Sequence, residues 1–476
     1  MSSIELPPGR HYAVTWSIPD DYAGMTNSLL HRSRALVREA GAEVTILTYA
    51  HRDDYDATRD RLIERKAMIE GMHLRNLWED VRAWDDVQLK SAASTFAKGP
   101  DVEFEPLGGR GDHSSPFAHV LRDDQGKVIQ ADYFRPDGTL LASDQHPSAT
   151  NLRRSVVLCD TSGKPLGLWR GPWNLYYLWL DSLPRDPTAW MICDSKTVAT
   201  HLTTYHRPDV VTIHVVRGSH LRAGTGRPQG ELNPRRKFVM ENLRSWDAVV
   251  LLTNEQRRDV EALMGPHDNL HVIPNNRPVP AEVPNLRRNR SRGVMLASLT
   301  TRKQIGQAVR AISKVGRVRG RRVKLDVWGK GDREEALRKY IAKLDAAVTL
   351  RGHSSSAIDE FETASFSLLT SKSEAFANVL IESMGRGCIP ISYETPYGPS
   401  DIITHGVDGF LVPQDDVAAL ARQIRAAVAE KPKTLTAMRL AGHRRALQFT
   451  DFTDRWAVLM HSIAAARRDR VGNVEP

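Results

Sequence analysis

Apolar residues along the chain gather into short runs, separated by helical patterns. The first run is His11 to Ser17 (HYAVTWS), which reads as a strand. The segment Ala23-Gly24-Met25-Thr26 reads as a loop. A helix follows, with Leu29, Leu30, Leu36 and Val37 at helical spacing. Glu43 to Ala50 (EVTILTYA) is a second strand. A strand, a glycine loop, a helix and a strand form a unit of the doubly wound α/β kind. Two helical patterns occupy the stretch near 57–83. From Phe117 to Gln145 short strands alternate with Asp-Gln-Gly and Pro-Asp-Gly turns, and Thr161 to Pro165 is a further turn, so this stretch reads as antiparallel hairpins.

The α/β rhythm resumes with strands at Trp190–Cys193, Val210–Val216, Ala248–Thr253 and Leu270–Ile273, and helices at Asp194 and near 236–245. Residues 277–293 are rich in Pro and Arg and lack an apolar period, which predicts a linker. A second series follows: Val294–Ala297, Val323–Trp328, Val348–Leu350, Phe366–Leu369, Ile389–Tyr393 and Phe410–Val412. The tail from Phe452 to Arg470 has Trp456, Leu459 and Ile463 at helical spacing. The predicted domains are therefore 1–285, with an antiparallel β insertion at about 100–170, and 294–450. The 451–476 helix is expected to cross back to the first domain. Two doubly wound domains facing a cleft would aim their loops into it from the carboxyl ends of their strands.

Composition narrows the class without naming a function. The 476 residues are 41% hydrophobic and 26% charged, which excludes disordered, collagen-like and coiled-coil chains. Cys159, Cys193 and Cys388 are far apart in sequence, as expected of a chain from a reducing compartment without disulfides or a thiolate zinc site. Met1 to Pro8 lacks the pattern of a signal peptide, and no apolar run approaches a membrane span. The expected location is cytoplasmic, with peripheral association at the inner membrane face left open. The net charge of +9 comes from 66 Lys+Arg against 57 Asp+Glu. Arg287, Arg288, Arg290 and Arg292 form one candidate basic patch, and Arg317, Arg319, Arg321 and Arg322 another. Nucleic acid is the rival anion, but no zinc finger, RNP-type pattern or basic zipper is present, so it is not expected as a partner.

The candidate chemistry sits between Ser371 and Ser392. Ser373 is placed to cap a helix beginning after Glu374, and Gly387 to end it. Glu374 and Glu382 would then lie roughly 12 Å apart along the axis. Carboxylates at that separation suit the two ends of a nucleotide sugar, since each accepts hydrogen bonds from sugar hydroxyls. Taken alone, such a pair also describes an ordinary exposed helix face. The following Gly387-Cys-Ile-Pro-Ile391 run, the preceding strand, Tyr397-Gly-Pro-Ser-Asp-Ile-Ile403 and Asp408-Gly-Phe-Leu-Val412 change that reading. The stretch resembles the E-x7-E element of retaining glycosyltransferases of the GT-B fold. Together with Ile18 to Ser33 and Tyr133-Phe-Arg-Pro-Asp-Gly138, it is similar to the branch that glycosylates polyol-phosphate wall teichoic acids.

The resemblance implies roles for particular residues. Glu374 would contact the transferred sugar, assisted by backbone N–H groups from Ala375, Phe376, Ala377 and Asn378. Glu382 would bind the ribose. Lys303 would bind the pyrophosphate, and Gly24, Met25 and Thr26 would form the acceptor or phosphate loop. His220, in Arg217-Gly-Ser-His220, matches the second of two family histidines and would stand near the reacting carbon. His214 is the fallback, also readable as a core residue. Asp194 matches an Asp-Ser before a helix and reads as a cap. Three positions depart from the pattern. Ser298 replaces a phosphate-binding Arg, for which Arg302 is a substitute. Ala375-Phe376-Ala377 replaces Gly-Phe-Gly, and Arg217 replaces the first histidine.

The implied activity is retaining, metal-independent transfer of glucose or N-acetylglucosamine from a nucleotide sugar, with UDP expected, to a polyol-phosphate polymer. No cofactor is expected besides that donor substrate. The β insertion is a candidate for holding the polymer or for self-association. A same-fold enzyme acting on a small-molecule, lipid or other glycan acceptor is the alternative, as is a non-catalytic sugar-nucleotide scaffold. The absence of Gly-x-Gly-x-x-Gly in the first loop argues against a nicotinamide dehydrogenase.

Overall fold

The computed structural model describes residues 5–22, 24–147, 153–222 and 224–472. Ala23 of the predicted loop and the first four residues of the N-terminal stretch lie outside them. Two compact units emerge. Pro8–Thr212 form one, and Ile213–Pro476 with Met1–Pro7 form the other.

The strands of the first unit are β1 (Arg10–Val14), β2 (Val44–Thr48), β3 (Met72–Asn76), β4 (Ala118–Arg122), β5 (Val128–Phe134), β6 (Leu140–Gln145), β7 (Ser155–Cys159), β8 (Pro165–Trp169) and β9 (Ala189–Cys193). Its helices are α1 (Gly24–Ala40), α2 (Tyr55–Glu64), α3 (Leu77–Arg82), α4 (Asp86–Ser91), α5 (Trp173–Asp181) and α6 (Lys196–Leu202). A parallel sheet runs β9-β1-β2-β3, with Ala13 opposite Ile192 on one side and Ile46 on the other. β9 (AWMIC) is buried at every residue, as a strand covered on both faces must be. β4 to β8 form a five-stranded antiparallel meander, as the turn residues predict. Strand β3 corrects the reading of 57–83 as helical throughout. Met72, Leu74 and Asn76 point inward and His73 outward, a short alternation hidden between two helices.

The boundary between the units falls inside β10 (Val210–Val215). The second unit continues with α7 (Lys237–Glu241), β11 (Ala248–Leu251), α8 (Asn254–Met264), β12 (Leu270–Val272) and β13 (Asn289–Leu296). Strand β13 starts inside the predicted 277–293 linker. Then come α9 (Ile305–Val315), the hairpin β14 (Arg317–Val318) and β15 (Arg321–Arg322), β16 (Lys324–Trp328), α10 (Glu334–Lys343), β17 (Val348–Gly352) and β18 (Ala364–Leu369). The chain ends with α11 (Asn378–Gly385), β19 (Ile389–Tyr393), α12 (Pro399–Ile402), β20 (Phe410–Val412), α13 (Val417–Ala429), α14 (Pro432–Leu447) and α15 (Phe452–Gly472).

β10, β11 and β12 pair in parallel, and a second parallel sheet runs β17-β16-β13-β18-β19-β20. Helix α9 covers this second sheet because Ile305, Ala308, Val309, Ile312 and Val315 recur on one face and are buried. They meet Leu325 and Val327 of the sheet, Val323 just before β16, and Leu420 and Ile424 of α13 in one core. Both units are Rossmann-like, and the fold class is α/β of the GT-B type. Helix α15 returns to the segment before β11, where Arg467 donates to both oxygens of Asp247 at 2.9 and 3.0 Å. None of the helices among the described residues is long and apolar enough to cross a membrane.

Candidate active site

The carboxyl ends of β13 and β18 lie side by side because the strands are neighbours, so their loops meet. The β13 loop holds Ser298 and a 3-10 turn over Thr301–Lys303 before α9. The β18 loop runs from Thr370 to Ala377. Thr370 Oγ1 donates to the Lys303 carbonyl at 3.0 Å, and the Lys372 N–H donates to the Arg302 carbonyl at 2.9 Å. These bonds present Lys303 to Glu374, and the ammonium lies 2.5 Å from Oε1. Arg302 lies 3.3 Å from Oε2 and also donates to the Ser373 carbonyl at 2.8 Å. The expected substitute cation is thus turned toward the carboxylate, while Ser298 is exposed. Burial pushes the Glu374 pKa up, but Lys303 and Arg302 outweigh it and hold the carboxyl below its ordinary range.

Glu374 does not begin a helix. Its N–H donates to the Pro396 carbonyl at 2.8 Å, and its carbonyl accepts from the Tyr397 N–H at 2.9 Å. This pairing keeps 374–376 out of helical geometry, and Ala377 turns the chain through a left-handed conformation at φ 59°. Helix α11 starts only at Asn378, so the predicted cap at Ser373 and the axial distance derived from it do not apply. Gly398 makes the arrangement possible. It adopts φ +116°, and a Cβ there would stand 2.4 Å from the Phe376 carbonyl oxygen. Among the described residues, the N–H groups of Ala375, Phe376 and Ala377 donate to no backbone carbonyl. The Phe376 ring itself is core, packed edge-on against Phe449 at 5.7 Å.

Glu382, one turn into α11, is held by a residue the linker reading passed over. Arg277 Nε donates to its Oε1 at 2.9 Å, with side-chain exposures of 4% for Arg277 and 18% for Glu382. Asn275, two residues earlier, donates to Asn378 Oδ1 at 3.0 Å and accepts from Arg217. Arg217 therefore reaches the start of α11 through one amide. The available signal was the Pro274-Asn275-Asn276 end of a parallel strand, where functional loops collect.

His220 is fully buried and stacks on the Tyr397 ring at 6.0 Å. Burial lowers its pKa to about 4, against the opposing pull of Asp259, so it is a neutral imidazole at pH 7. Tyr397 Oη donates to Asp259 at 2.8 Å. Arg227 pairs with Asp259 at 2.5 Å and with Glu255 at 2.6 Å. His214 is buried in β10 against Trp246 at 5.1 Å, the position of a core residue.

The remaining predicted residues lie in the other unit or elsewhere on the surface. Gly24, Met25 and Thr26 form the first turn of α1 rather than a loop, with Gly24 at φ +43°. Asp194 is not the helix cap. Ser195 caps α6 by accepting from the Val198 N–H, while Asp194 holds Arg32 of α1 at 2.5 and 3.0 Å. Of the first basic patch, Arg292 is engaged by Asp326 and Glu360, and Arg288 donates to the Phe361 and Arg386 carbonyls. The second patch is the exposed β14–β15 hairpin.

Residues 282–445 match the family model for glycosyl transferases group 1. The chain is 22% identical to the poly(glycerol-phosphate) alpha-glucosyltransferase of Bacillus subtilis, over 88% of this chain and 70% of that protein. A structure of S. aureus TarM in complex with fondaparinux, alpha-GlcNAc-glycerol and UDP superposes with a TM-score of 0.71 at 17% identity, covering 95% of this chain and all 100% of that one. The pneumococcal O-GlcNAc transferase GtfA, in complex with UDP and GlcNAc, superposes at 0.65 and 17% identity, covering 98% and 100%.

Proposed function

We propose the following reaction for this chain, whose residues 282–445 match the glycosyl transferases group 1 model and whose fold is of the GT-B type. Glucose or N-acetylglucosamine passes from a UDP-sugar to a hydroxyl of a polyol-phosphate polymer, with retention and without a metal ion. The observation that carries this reading is Glu374, held ionised by Lys303 and Arg302 beside three unengaged backbone N–H groups.

An ionised carboxylate accepts hydrogen bonds from sugar hydroxyls, and the two cations are there for the diphosphate. No side chain need attack the anomeric carbon. In a front-face transfer the acceptor hydroxyl approaches the side from which the diphosphate departs, and a leaving phosphate oxygen takes its proton. The protein then positions the reactants and stabilises the charge growing on the diphosphate. Lys303, Arg302 and the amides of Ala375 to Ala377 supply that stabilisation. His220 is a neutral imidazole at pH 7, and its lowered pKa makes it a weak base; it packs against Tyr397, whose N–H donates to the Glu374 carbonyl. Glu382, fixed by Arg277, is assigned to the ribose hydroxyls.

The glycerol-phosphate acceptor class has its support in the Bacillus subtilis relative, and the UDP donor in the TarM and GtfA structures. The proposal includes a cytoplasmic, membrane-peripheral location and self-association through the β4–β8 sheet. A panel of UDP- and other nucleotide sugars, crossed with glycerol-phosphate and ribitol-phosphate polymers, tests the reading. Turnover with a UDP-hexose and a polyol-phosphate, unaffected by chelator, is the expected result. Donor consumption only with other glycans or lipids would refute the acceptor, and no donor consumption at all would refute the enzyme.

A further inference from the structure

The loop after β10 holds a cation that the chemistry above leaves unused. Arg236 is half-buried, and burial pulls its pKa down. Its guanidinium has no carboxylate, carbonyl or hydroxyl partner among the described residues. Its terminal nitrogen lies against Gly218, 3.0 Å from where a Cβ would stand. Its charge is felt at His220.

The backbone holds it there. The Asn233 N–H donates to the His220 carbonyl at 2.8 Å, the Arg222 N–H to the Glu231 carbonyl at 2.7 Å, and the Arg236 N–H to the Asn233 carbonyl at 2.8 Å. The 220–222 and 231–236 segments are therefore laced together, and Arg236 is carried to the end of β10. The nearby acids do not neutralise it. Asp259 and Glu255 are both committed to Arg227. The guanidinium is half-buried with no counterion among the described residues, and its fork of N–H donors matches a phosphate. Gly218 leaves room for it, and Arg217 beside Gly218 leads through Asn275 to Asn378 at the start of the donor helix.

We infer that Arg236 is a phosphate-recognition residue of this site, its ligand being an oxyanion of the donor diphosphate or of the acceptor phosphodiester. The inference rests on the transferase reading for those two sources. It rests on the structure alone for the anion.

The test is calorimetric titration of wild type, R236Q, R236K and G218A with three probes: UDP, a synthetic glycerol-phosphate hexamer and inorganic pyrophosphate. R236Q should weaken at least one probe by about tenfold to a hundredfold, as expected on losing a charge-assisted contact. R236K should fall between. G218A keeps the charge but pushes the guanidinium aside, and should resemble R236Q. Weakening confined to UDP assigns the donor diphosphate, and weakening confined to the hexamer assigns the acceptor. R236Q should also melt no lower than wild type, because it relieves an unpaired charge; a purely structural arginine would lower the melting temperature. R236Q equal to wild type on every probe, whether or not wild type binds it, overturns the inference. Wild-type binding of pyrophosphate that R236Q loses, with neither UDP nor hexamer bound, upholds the anion site and overturns the transferase reading instead.

Discussion

Replacing Lys303 by Met separates two roles that one ammonium plays. The ammonium sits 2.5 Å from Glu374, with side-chain exposures of 15% and 10%. Removing one preorganised donor aimed at developing negative charge costs about 2.7–4 kcal/mol, or roughly a hundredfold to a thousandfold in turnover. A second loss falls on stability. Breaking a buried pair from one side costs about 3–5 kcal/mol. Arg302 remains 3.3 Å from the other carboxylate oxygen but is 49% exposed, which places K303M near the lower end, about 3 kcal/mol. Adding E374Q removes the stranded charge. K303M/E374Q should therefore recover most of the stability in urea unfolding while UDP release from a UDP-sugar stays at or below the K303M level. K303M turnover within about threefold of wild type, from a folded protein, would refute the assignment of Lys303 to the leaving group. A double variant as unstable as K303M would refute the stranded-carboxylate account.

Three further outcomes are expected. R277M should lose about 3 kcal/mol or more in urea unfolding, because it leaves Glu382 facing an empty apolar neighbour, and R277M/E382Q should regain part of it; equal stability of R277M and wild type would discount the pair. D194N should destabilise by a similar amount, since Arg32 and Asp194 have side-chain exposures of 1% and 0%, and its chemical-denaturation midpoint should fall accordingly. The His220 pKa is depressed from 6.5 to about 4, so below pH 6.5 the unfolded chain binds the proton first. Its contribution is complete above pH 6.5 and is lost as pH falls toward 4; H220Q should flatten the stability profile in that window, and an unchanged slope there would count against a buried neutral imidazole.

Parallel sheet architecture was legible because buried strands such as Ala189–Cys193 and Ala248–Leu251 are continuous apolar runs, and because hairpin turns carry Gly and Asp. β3 was not, since five residues with three inward side chains between two helices give too short an alternation. The Glu374 loop misled for a different reason. Ser-Lys-Ser-Glu reads locally as a helix start, but hydrogen bonds to Pro396 and Tyr397, over 20 residues away in sequence, override that preference. Glu374, Glu382 and Lys303 stood out as residue types in a pattern. Arg277 and Arg236 did not, because their meaning depends on which carboxylates are already taken nearby, and that is decided by tertiary contacts.

Helix α15 closes the unit that holds the candidate site at two points: Arg467 on Asp247, and His461, whose Nε2 donates to the Glu5 carbonyl at 2.9 Å. During synthesis, residues 213–451 emerge before this strap exists. The segment before β11 must wait for its last partner until residue 467 has cleared the ribosome. Premature termination anywhere in the last helix would thus release a polypeptide whose unit carrying Glu374 and Lys303 is left unfastened, exposed to quality-control proteases.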